Sequence, residues 1–236
     1  MNLINHLLIS ISVIILIGCN TKTSKTDETR IVDQDEEISN QDEEVLNQEI
    51  KEEFKLTDDN VIDFLFEYEK NNKENKIRIY TNYGEIDVLL FSNTPYHRSN
   101  FIYLTKLNYF EGTQFYRVVN DFVIQAGNSD NIKTSLKRQK IGKYLLPNDF
   151  NKGHTHKRGM VSMPSSSIDN PYKMASPYEF FIVQKKDGAH HLDGNYTIFG
   201  TVINGMEIVD IIASLPTDER DWPLNNVYIN KVEIIN

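Results

Sequence analysis

The chain reads as a mostly β protein: a closed antiparallel barrel with helices over its ends. Three observations predict this. Short segments of alternating apolar residues recur from Lys76 to the C-terminus, turn-forming residues separate them, and only two or three stretches carry helical spacing. With 236 residues, 39% hydrophobic content, 12 Phe and 12 Tyr, the chain has material for one sizeable core. It contains no internal repeat.

The first elements lie outside that core. Residues 1–19 are apolar and carry no Asp, Glu, Lys or Arg, and they end in Leu16-Ile17-Gly18-Cys19. This ending resembles the lipobox of bacterial lipoprotein precursors, in which the cysteine is lipidated and the preceding segment is removed. The resemblance implies a signal peptide over 1–18 and a membrane anchor through lipid at Cys19. It places the rest in the cell envelope, outside the cytoplasm. Cys19 is the one cysteine in the sequence, so packing and not disulfides must hold the fold. Residues 20–55 hold 12 acidic and 5 basic side chains with no Gly, Pro or Tyr. The region 19–56 is expected to be a disordered, self-repelling tether. It accounts for −7 of the net charge of −9, which leaves the remainder near neutral and argues against nucleic acid as a partner.

From Thr57 the pattern changes. Thr57-Asp58-Asp59 can cap a helix with Val61, Ile62, Leu65, Phe66 and Tyr68 on its apolar positions, ending near Asn71-Asn72. This gives an N-terminal helix over 57–75 packed on a domain of 76–236. Ile77, Ile79 and Thr81 alternate, Asn82-Tyr83-Gly84 turns, and Ile86, Val88 and Leu90 alternate again, which is a β-hairpin. Thr94-Pro95 opens a helix through Leu107 that puts Phe101, Leu104, Thr105 and Asn108 on one face. A long loop with seven Lys or Arg residues is expected from Ser129 to Lys157. Further strands are expected at 158–163, 179–183, 197–202 and 227–235, with a helix over 206–215 after Asn204-Gly205.

The segment from Phe115 to Asn128, FYRVVNDFVIQAGN, carries the chemistry. Strict alternation puts Phe115, Arg117 and Val119 on one side and Tyr116 and Val118 on the other. After Asn120-Asp121, Phe122 and Ile124 point one way, and Val123 and Gln125 the other. A guanidinium does not deprotonate and is costly to bury, so Arg117 on an otherwise apolar strand should face a cleft. The alternative use of such an arginine is a structural ion pair at a strand edge.

From about Lys76 onward the chain resembles the cyclophilin-type peptidyl-prolyl cis-trans isomerases. The resemblance rests on TNYGEIDVLLF (81–91), HRSNFIYLT (97–105), GTQFYRVVNDFVIQAGN (112–128), LPNDF (146–150), HKRGMVSMP (156–164), EFFIV (179–183) and HLDGNYTIFGTVINGMEIVD (191–210), in the family's order. It implies an eight-stranded barrel closed by two helices. It implies that Arg117 is the catalytic arginine, with Phe122 as hydrophobic wall and Gln125 as the substrate-orienting glutamine. Val123, Pro164, Ser165, Phe181, His191, Leu192 and Tyr196 are implied to bind substrate. The sequence departs from the family's pattern at Tyr116, Ala126, Pro164, Ser165, Tyr178 and Glu179. These changes are expected around the peptide groove, where they would alter sequence preference.

Other chemistries fit the residues less well. The pairs His154/His156 and His190/His191 lack a third ligand at metal spacing, so these are expected to be loop histidines. Ser165-Ser166-Ser167 lacks the glycine elbow of a hydrolase nucleophile. No cofactor is expected. The expected function is acceleration of X–Pro rotation in proline-containing peptides and unfolded proteins, assisting folding outside the cytoplasm. A tether this long allows the domain to work as a monomer. The competing function is a proline-peptide binding or chaperone-like lipoprotein with little turnover.

Overall fold

A computed structural model describes residues 54–149, 151–165 and 169–236. The signal peptide, Cys19 and the tether up to residue 53 lie outside the described residues, as do Ser166 and Ser167.

Alternation turns directly into sheet. The strands Lys76–Thr81 (β2) and Gly84–Leu90 (β3) pair in register from Lys76–Leu89 to Thr81–Gly84; β2 alternates strictly between core and surface, whereas on β3 Asp87, paired with Arg78, is buried between Ile86 and Val88. Six further strands complete the sheet: Gln114–Val119 (β4), Val123–Asn128 (β5), Met160–Ser162 (β7), Phe180–Val183 (β8), Ile198–Asn204 (β9) and Ile229–Ile234 (β10). Their order is β10-β2-β3-β9-β7-β8-β5-β4, antiparallel throughout. The two end strands approach each other: Gln114 bridges Tyr228, and the Phe115 N–H donates to the Val227 carbonyl at 2.8 Å. The barrel is thus nearly closed, which leaves few strand edges open to other chains.

Aromatic rings fill its interior. Phe101 stacks on Phe110 at 4.5 Å and meets Phe180 edge-on at 5.4 Å, and Phe115 meets Phe180 at 6.2 Å. Phe101 comes from the helix Pro95–Lys106 (α2), which starts at Thr94 with proline in its first turn. Phe101, Leu104 and Thr105 are buried as expected, whereas Asn108 lies past the helix end, exposed and at φ 52. The helix Met206–Ala213 (α4) covers the other end with Val209 and Ile212. It is entered through Gly205 at φ 89, where a Cβ would meet the Glu85 carbonyl at 2.2 Å.

The N-terminal helix Val61–Asn71 (α1) forms, but its N-cap position is Asn60 and not Thr57-Asp58-Asp59, and the Asn60 side chain accepts from the Thr57 N–H instead of capping the helix. Thr57 instead belongs to a two-residue strand, Leu56–Thr57 (β1), parallel to Gly142–Lys143 (β6). Leu56, expected at the end of the tether, is fully buried. A Cβ at Gly142 would lie 2.0 Å from the Leu56 carbonyl, so the pairing requires glycine there. α1 packs on α2 through Phe64 and Tyr68 against Tyr103, and through the buried Arg98 paired with Glu69.

The expected loop from 129 to 157 contains a helix, Ile132–Ile141 (α3), so the described residues hold four α-helices where three were expected. Apart from Ile141, which is buried at its C-terminal end, its attachment is polar. Lys137 donates to the carbonyls of Asn108, Tyr109 and Glu111, and Arg138 to the Tyr109 hydroxyl at 2.8 Å and the Gly127 carbonyl at 3.1 Å. Ile132 and Leu136 remain exposed. An apolar stripe, the usual sequence signature of a helix, is therefore missing here. Among the described residues no helix is long and apolar enough to cross a membrane.

Two stability measurements follow from this packing. Leu56→Ala should cost about 2–5 kcal/mol in denaturant unfolding, whereas a change below about 0.5 kcal/mol would place residue 56 outside the folded domain. His97 on α2 is fully buried, its ring nitrogens have no partner among the described residues, and burial lowers its pKa to about 3. It is neutral in the folded state, so its contribution is complete above pH 6.5 and is lost as pH falls from there toward 3. Replacing it with Gln should flatten the pH dependence of stability below 6.5 by up to about 1.4 kcal/mol per pH unit. Identical slopes in the two proteins would contradict this.

Candidate active site

One side of the barrel carries a cavity of about 260 Å³ lined by Arg117, Phe122, Val123, Gln125, Pro164, Ser165, Phe181, Leu192 and Tyr196. Nine of the residues singled out in the sequence therefore meet at one place. The tenth, His191, lies over the rim with its ring stacked on Phe122 at 5.3 Å. Phe181 and Tyr196 meet edge-to-face at 5.7 Å, and Val123 packs with Phe181, Phe122 and Leu192 in an apolar cluster separate from the barrel core. Cys19 lies outside the described residues.

Arg117 reaches this cavity through an irregularity that simple alternation misses. Phe115 pairs with Ala126 and Arg117 with Gln125, so Tyr116 is an extra residue on β4. Phe115 and Val118 are both 1% exposed although their positions differ by an odd number. The bulge thus shifts the phase of the strand by one, and Tyr116 and Arg117 are both turned away from the core. The expected grouping of Phe115 with Arg117 is overturned for this reason. A matching irregularity on β5 falls at Gly127, at φ 97, where a Cβ would lie 2.2 Å from the Tyr178 carbonyl. Phe122 does not share a side with Ile124 either: it precedes β5 in a turn at Asp121, φ 54, and joins Val123 at the cavity while Ile124 enters the core.

The polar groups form two sets. Arg117 Nη2 donates to Asp221 Oδ2 at 3.0 Å, with both side chains more than a third exposed. The edge ion pair and the cleft-facing arginine are thus the same residue. Asp221 comes from a tightly pinned loop: its carbonyl accepts from the Val118 N–H at 2.8 Å, and its N–H donates to the Asp218 carbonyl. Asp218 Oδ1 accepts the N–H groups of Arg220 and Trp222. Asp221 sits 104 residues from Arg117 on a loop with no motif of its own, so the sequence offered no signal for it.

The second set holds Gln125. Its Nε2 donates to the Tyr116 hydroxyl, which donates to Glu179 Oε2 at 2.8 Å. Burial first, then the Glu179 carboxylate, push the Tyr116 pKa far above the ordinary tyrosine value, so the hydroxyl stays protonated. With its proton given to Glu179, that hydroxyl offers only lone pairs to Gln125, which fixes which end of the amide faces it. Glu179 also accepts from Asn128 and Arg138. Two other departures noted in the sequence are not groove residues. Ala126 faces the core, and Tyr178 is buried with its hydroxyl donating to the Gly142 carbonyl at 2.7 Å. Both are occupied with packing, and Tyr178 also meets the Arg138 guanidinium at 5.1 Å.

Beneath the cavity lies a residue whose place the sequence did not reveal. His156, expected in a loop, is fully buried and nearly parallel to Phe181 at 5.9 Å. Its backbone N–H and its Nδ1 both contact Asp193 Oδ1 at 2.7 Å. Burial holds its pKa below the ordinary histidine value in spite of that carboxylate. Ser162 Oγ lies 3.3 Å from its other nitrogen but donates to the Thr197 carbonyl and is buried, so this Ser-His-Asp set is not exposed to a substrate. His154 stacks on Phe91 at 4.2 Å, and His190 contacts Asp193. Among the described residues no three His, Cys, Asp or Glu side chains converge as a metal site would require.

Comparison with known proteins agrees with this geometry. The family Cyclophilin type peptidyl-prolyl cis-trans isomerase/CLD matches residues 76–234. Peptidyl-prolyl cis-trans isomerase-like 2 of Rhizopus delemar is 34% identical over 171 residues, covering 72% of this chain and 30% of that longer protein. A peptidyl-prolyl cis-trans isomerase of Acinetobacter baylyi is 34% identical over 166 residues, covering 67% of this chain and 84% of the relative. A crystal structure of a cyclophilin type isomerase of Cryptosporidium parvum, determined in the presence of the dipeptide Ala-Pro, superposes with a TM-score of 0.57 at 28% identity. It covers 68% of this chain and 99% of that one. The chain belongs to the cyclophilin-type peptidyl-prolyl cis-trans isomerases.

The Arg117–Asp221 pair can be tested without any substrate. In Asp221→Asn, rotation about the Arg117 Nε–Cζ bond should become faster by 15N NMR. A rotation rate equal to that of the parent would mean that the pair does not hold the guanidinium in solution.

Proposed function

We infer that this chain accelerates X–Pro bond rotation in proline-containing peptides and unfolded proteins, with Arg117 as the group that lowers the barrier. The observation that carries this reading is a guanidinium, paired with Asp221, that lines a small cavity together with the apolar side chains Phe122, Val123, Phe181 and Leu192. Rotation about the amide faces a barrier of roughly 18–20 kcal/mol because nitrogen shares its lone pair with the carbonyl. The two isomers differ by only about 0.5–1 kcal/mol, so lowering the barrier is all that is required. As the bond twists, the proline nitrogen becomes pyramidal and regains its lone pair. A guanidinium N–H aimed there stabilises the twisted state more than either planar one. Arg117 has five donors and Asp221 engages one nitrogen, so donors remain for the substrate. Phe122, Val123, Phe181 and Leu192 are placed to hold the proline ring while the preceding residue swings. Gln125, held by Tyr116, is placed to orient the peptide, and Pro164, Ser165, His191 and Tyr196 complete the walls. The steps named here involve no nucleophile and no proton transfer.

The lipobox-like Leu16-Ile17-Gly18-Cys19 and the acidic segment after it support a surface-tethered enzyme that assists folding outside the cytoplasm. An acyl chain contributes roughly 0.8 kcal/mol per buried CH₂, and more than one chain gives stable anchoring. The domain works as a monomer in this reading.

Two experiments test these statements. Arg117→Ala in the full chain should lower kcat/KM for cis-to-trans conversion of a short X–Pro peptide by about 100-fold or more, with unchanged circular dichroism. Equal rates in mutant and parent would remove Arg117 from the mechanism. Separately, Cys19→Ser should accumulate as unprocessed precursor and fail to take up labelled palmitate. Normal labelling of that variant would place the lipid elsewhere or nowhere.

A further inference from the structure

A second cavity, of about 220 Å³, adjoins the first; Gln114, Tyr116, Asn128, Asp130, Trp222 and Asn226 are among its lining residues. Its position follows from two pairs of chain neighbours. Tyr116 lines it while Arg117 lines the proline cavity, and Trp222 lines it while Asp221 holds Arg117. Neighbouring Cα atoms are about 3.8 Å apart, and an extended peptide advances about 3.3–3.6 Å per residue. A peptide with its proline in the first cavity therefore has another side chain, one or two residues away, within reach of the second.

We propose that this second cavity is a specificity subsite for an arginine side chain of the substrate, adjacent or nearly adjacent to the proline. The proposal rests on the isomerase reading of the first cavity. Three features select that side chain. Trp222 is 51% exposed yet sits on a pinned loop, its N–H on Asp218 Oδ1 at 2.9 Å and its carbonyl accepting from the Asp218 N–H at 2.8 Å. A large aromatic face is thus presented to solvent at little further cost in conformational entropy. Asp130 is the one charged residue in the lining, exposed and without a cationic partner among the described residues. It directly precedes Asn131, the N-cap of α3. Of the arginines beside the two cavities, Arg117 pairs with Asp221 and Arg138 with Glu179. Asn226 donates to the Tyr228 hydroxyl, which leaves its amide oxygen as a further acceptor.

An arginine satisfies all of these groups together. Its guanidinium plane stacks on the indole, its stem covers apolar surface, and its N–H groups reach the carboxylate. A glutamate in the same place would face Asp130 and gain nothing from the ring face.

Trp222 is the single tryptophan of the chain, so its fluorescence reports occupancy of the subsite independently of turnover. Capped peptides lacking aromatic residues, with Arg, Ala or Glu at each of the two positions on either side of one proline, are titrated into the full chain. Isomerisation rates are measured on the same set. At one position arginine should tighten Kd about five-fold or more over alanine, with a change in Trp222 emission, and glutamate should weaken it. Asp130→Asn and Trp222→Ala should each bring the arginine-to-alanine ratio of kcat/KM toward one. Equal Kd for Arg and Ala peptides at every position would overturn the subsite, as would an arginine preference that survives both substitutions. If peptides bind with the arginine preference but no isomerisation is accelerated, the subsite stands and the enzymatic reading fails. Acceleration with no arginine preference has the opposite meaning.

Discussion

The geometry of the site depends on one extra residue in a strand. Between Phe115 and Arg117, β4 carries Tyr116 with no partner on β5. Were Tyr116 paired in a regular ladder, the phase set by Phe115 would continue and Arg117 would share a side with Phe115, whose ring meets Phe180 in the core. An unpaired guanidinium is costly in such surroundings. With the bulge, Phe115 and Val118 both enter the core and Tyr116 and Arg117 both leave it. The two apolar side chains lock this register, because a slip of one residue would expose both. Arg117 is consequently set beside the apolar cluster of Val123 and Phe181 on the neighbouring strands, where donor and pocket can act on one amide.

Two supports keep those groups in place, and both come from distant parts of the chain. On one side the Asp218–Trp222 loop holds Asp221 against Arg117. On the other, α3 sends Arg138 to Tyr109, to the Gly127 carbonyl and to Glu179, which in turn accepts from Tyr116 and fixes Gln125. Several departures from the family's pattern become intelligible together on this basis. Glu179 joins Tyr116 to Arg138 of α3, and Tyr178 packs on the same Arg138. They form a polar connection between Gln125 and α3, and only part of it borders the groove. Pro164 and Ser165 are different, since they line the cavity with Arg117 itself. Any change in substrate preference from those two acts by direct contact.

Much of this was legible in the sequence, and the exceptions have physical causes. The β2–β3 hairpin followed from alternation at Ile77, Ile79, Ile86 and Val88, because one face is buried and the other solvated. α2 followed from Thr94-Pro95 and the spacing of Phe101, Leu104 and Thr105. α3 did not, since Lys137 and Arg138 attach it through carbonyls while Ile132 and Leu136 stay in solvent. The candidate site residues came from the family resemblance, and nine of the ten line one cavity. Alternation alone assigned Arg117 and Phe122 to the wrong companions, because a bulge and a turn each reset the phase. Asp221 and His156 were not legible at all. Their partners, Arg117 and Asp193, lie far along the sequence, and neither residue type at those positions announces a contact.

A cavity of this kind could turn a bound proline or only hold it. The most direct measurement is exchange NMR on an Ala-Pro peptide in the presence of a small amount of the full chain. A turning site gives cis–trans exchange cross-peaks that grow in with protein on a timescale at which the free peptide shows none. Chemical-shift changes at Val123 and Phe181 that demonstrate binding, with no exchange cross-peaks at any protein concentration, would contradict a turning role.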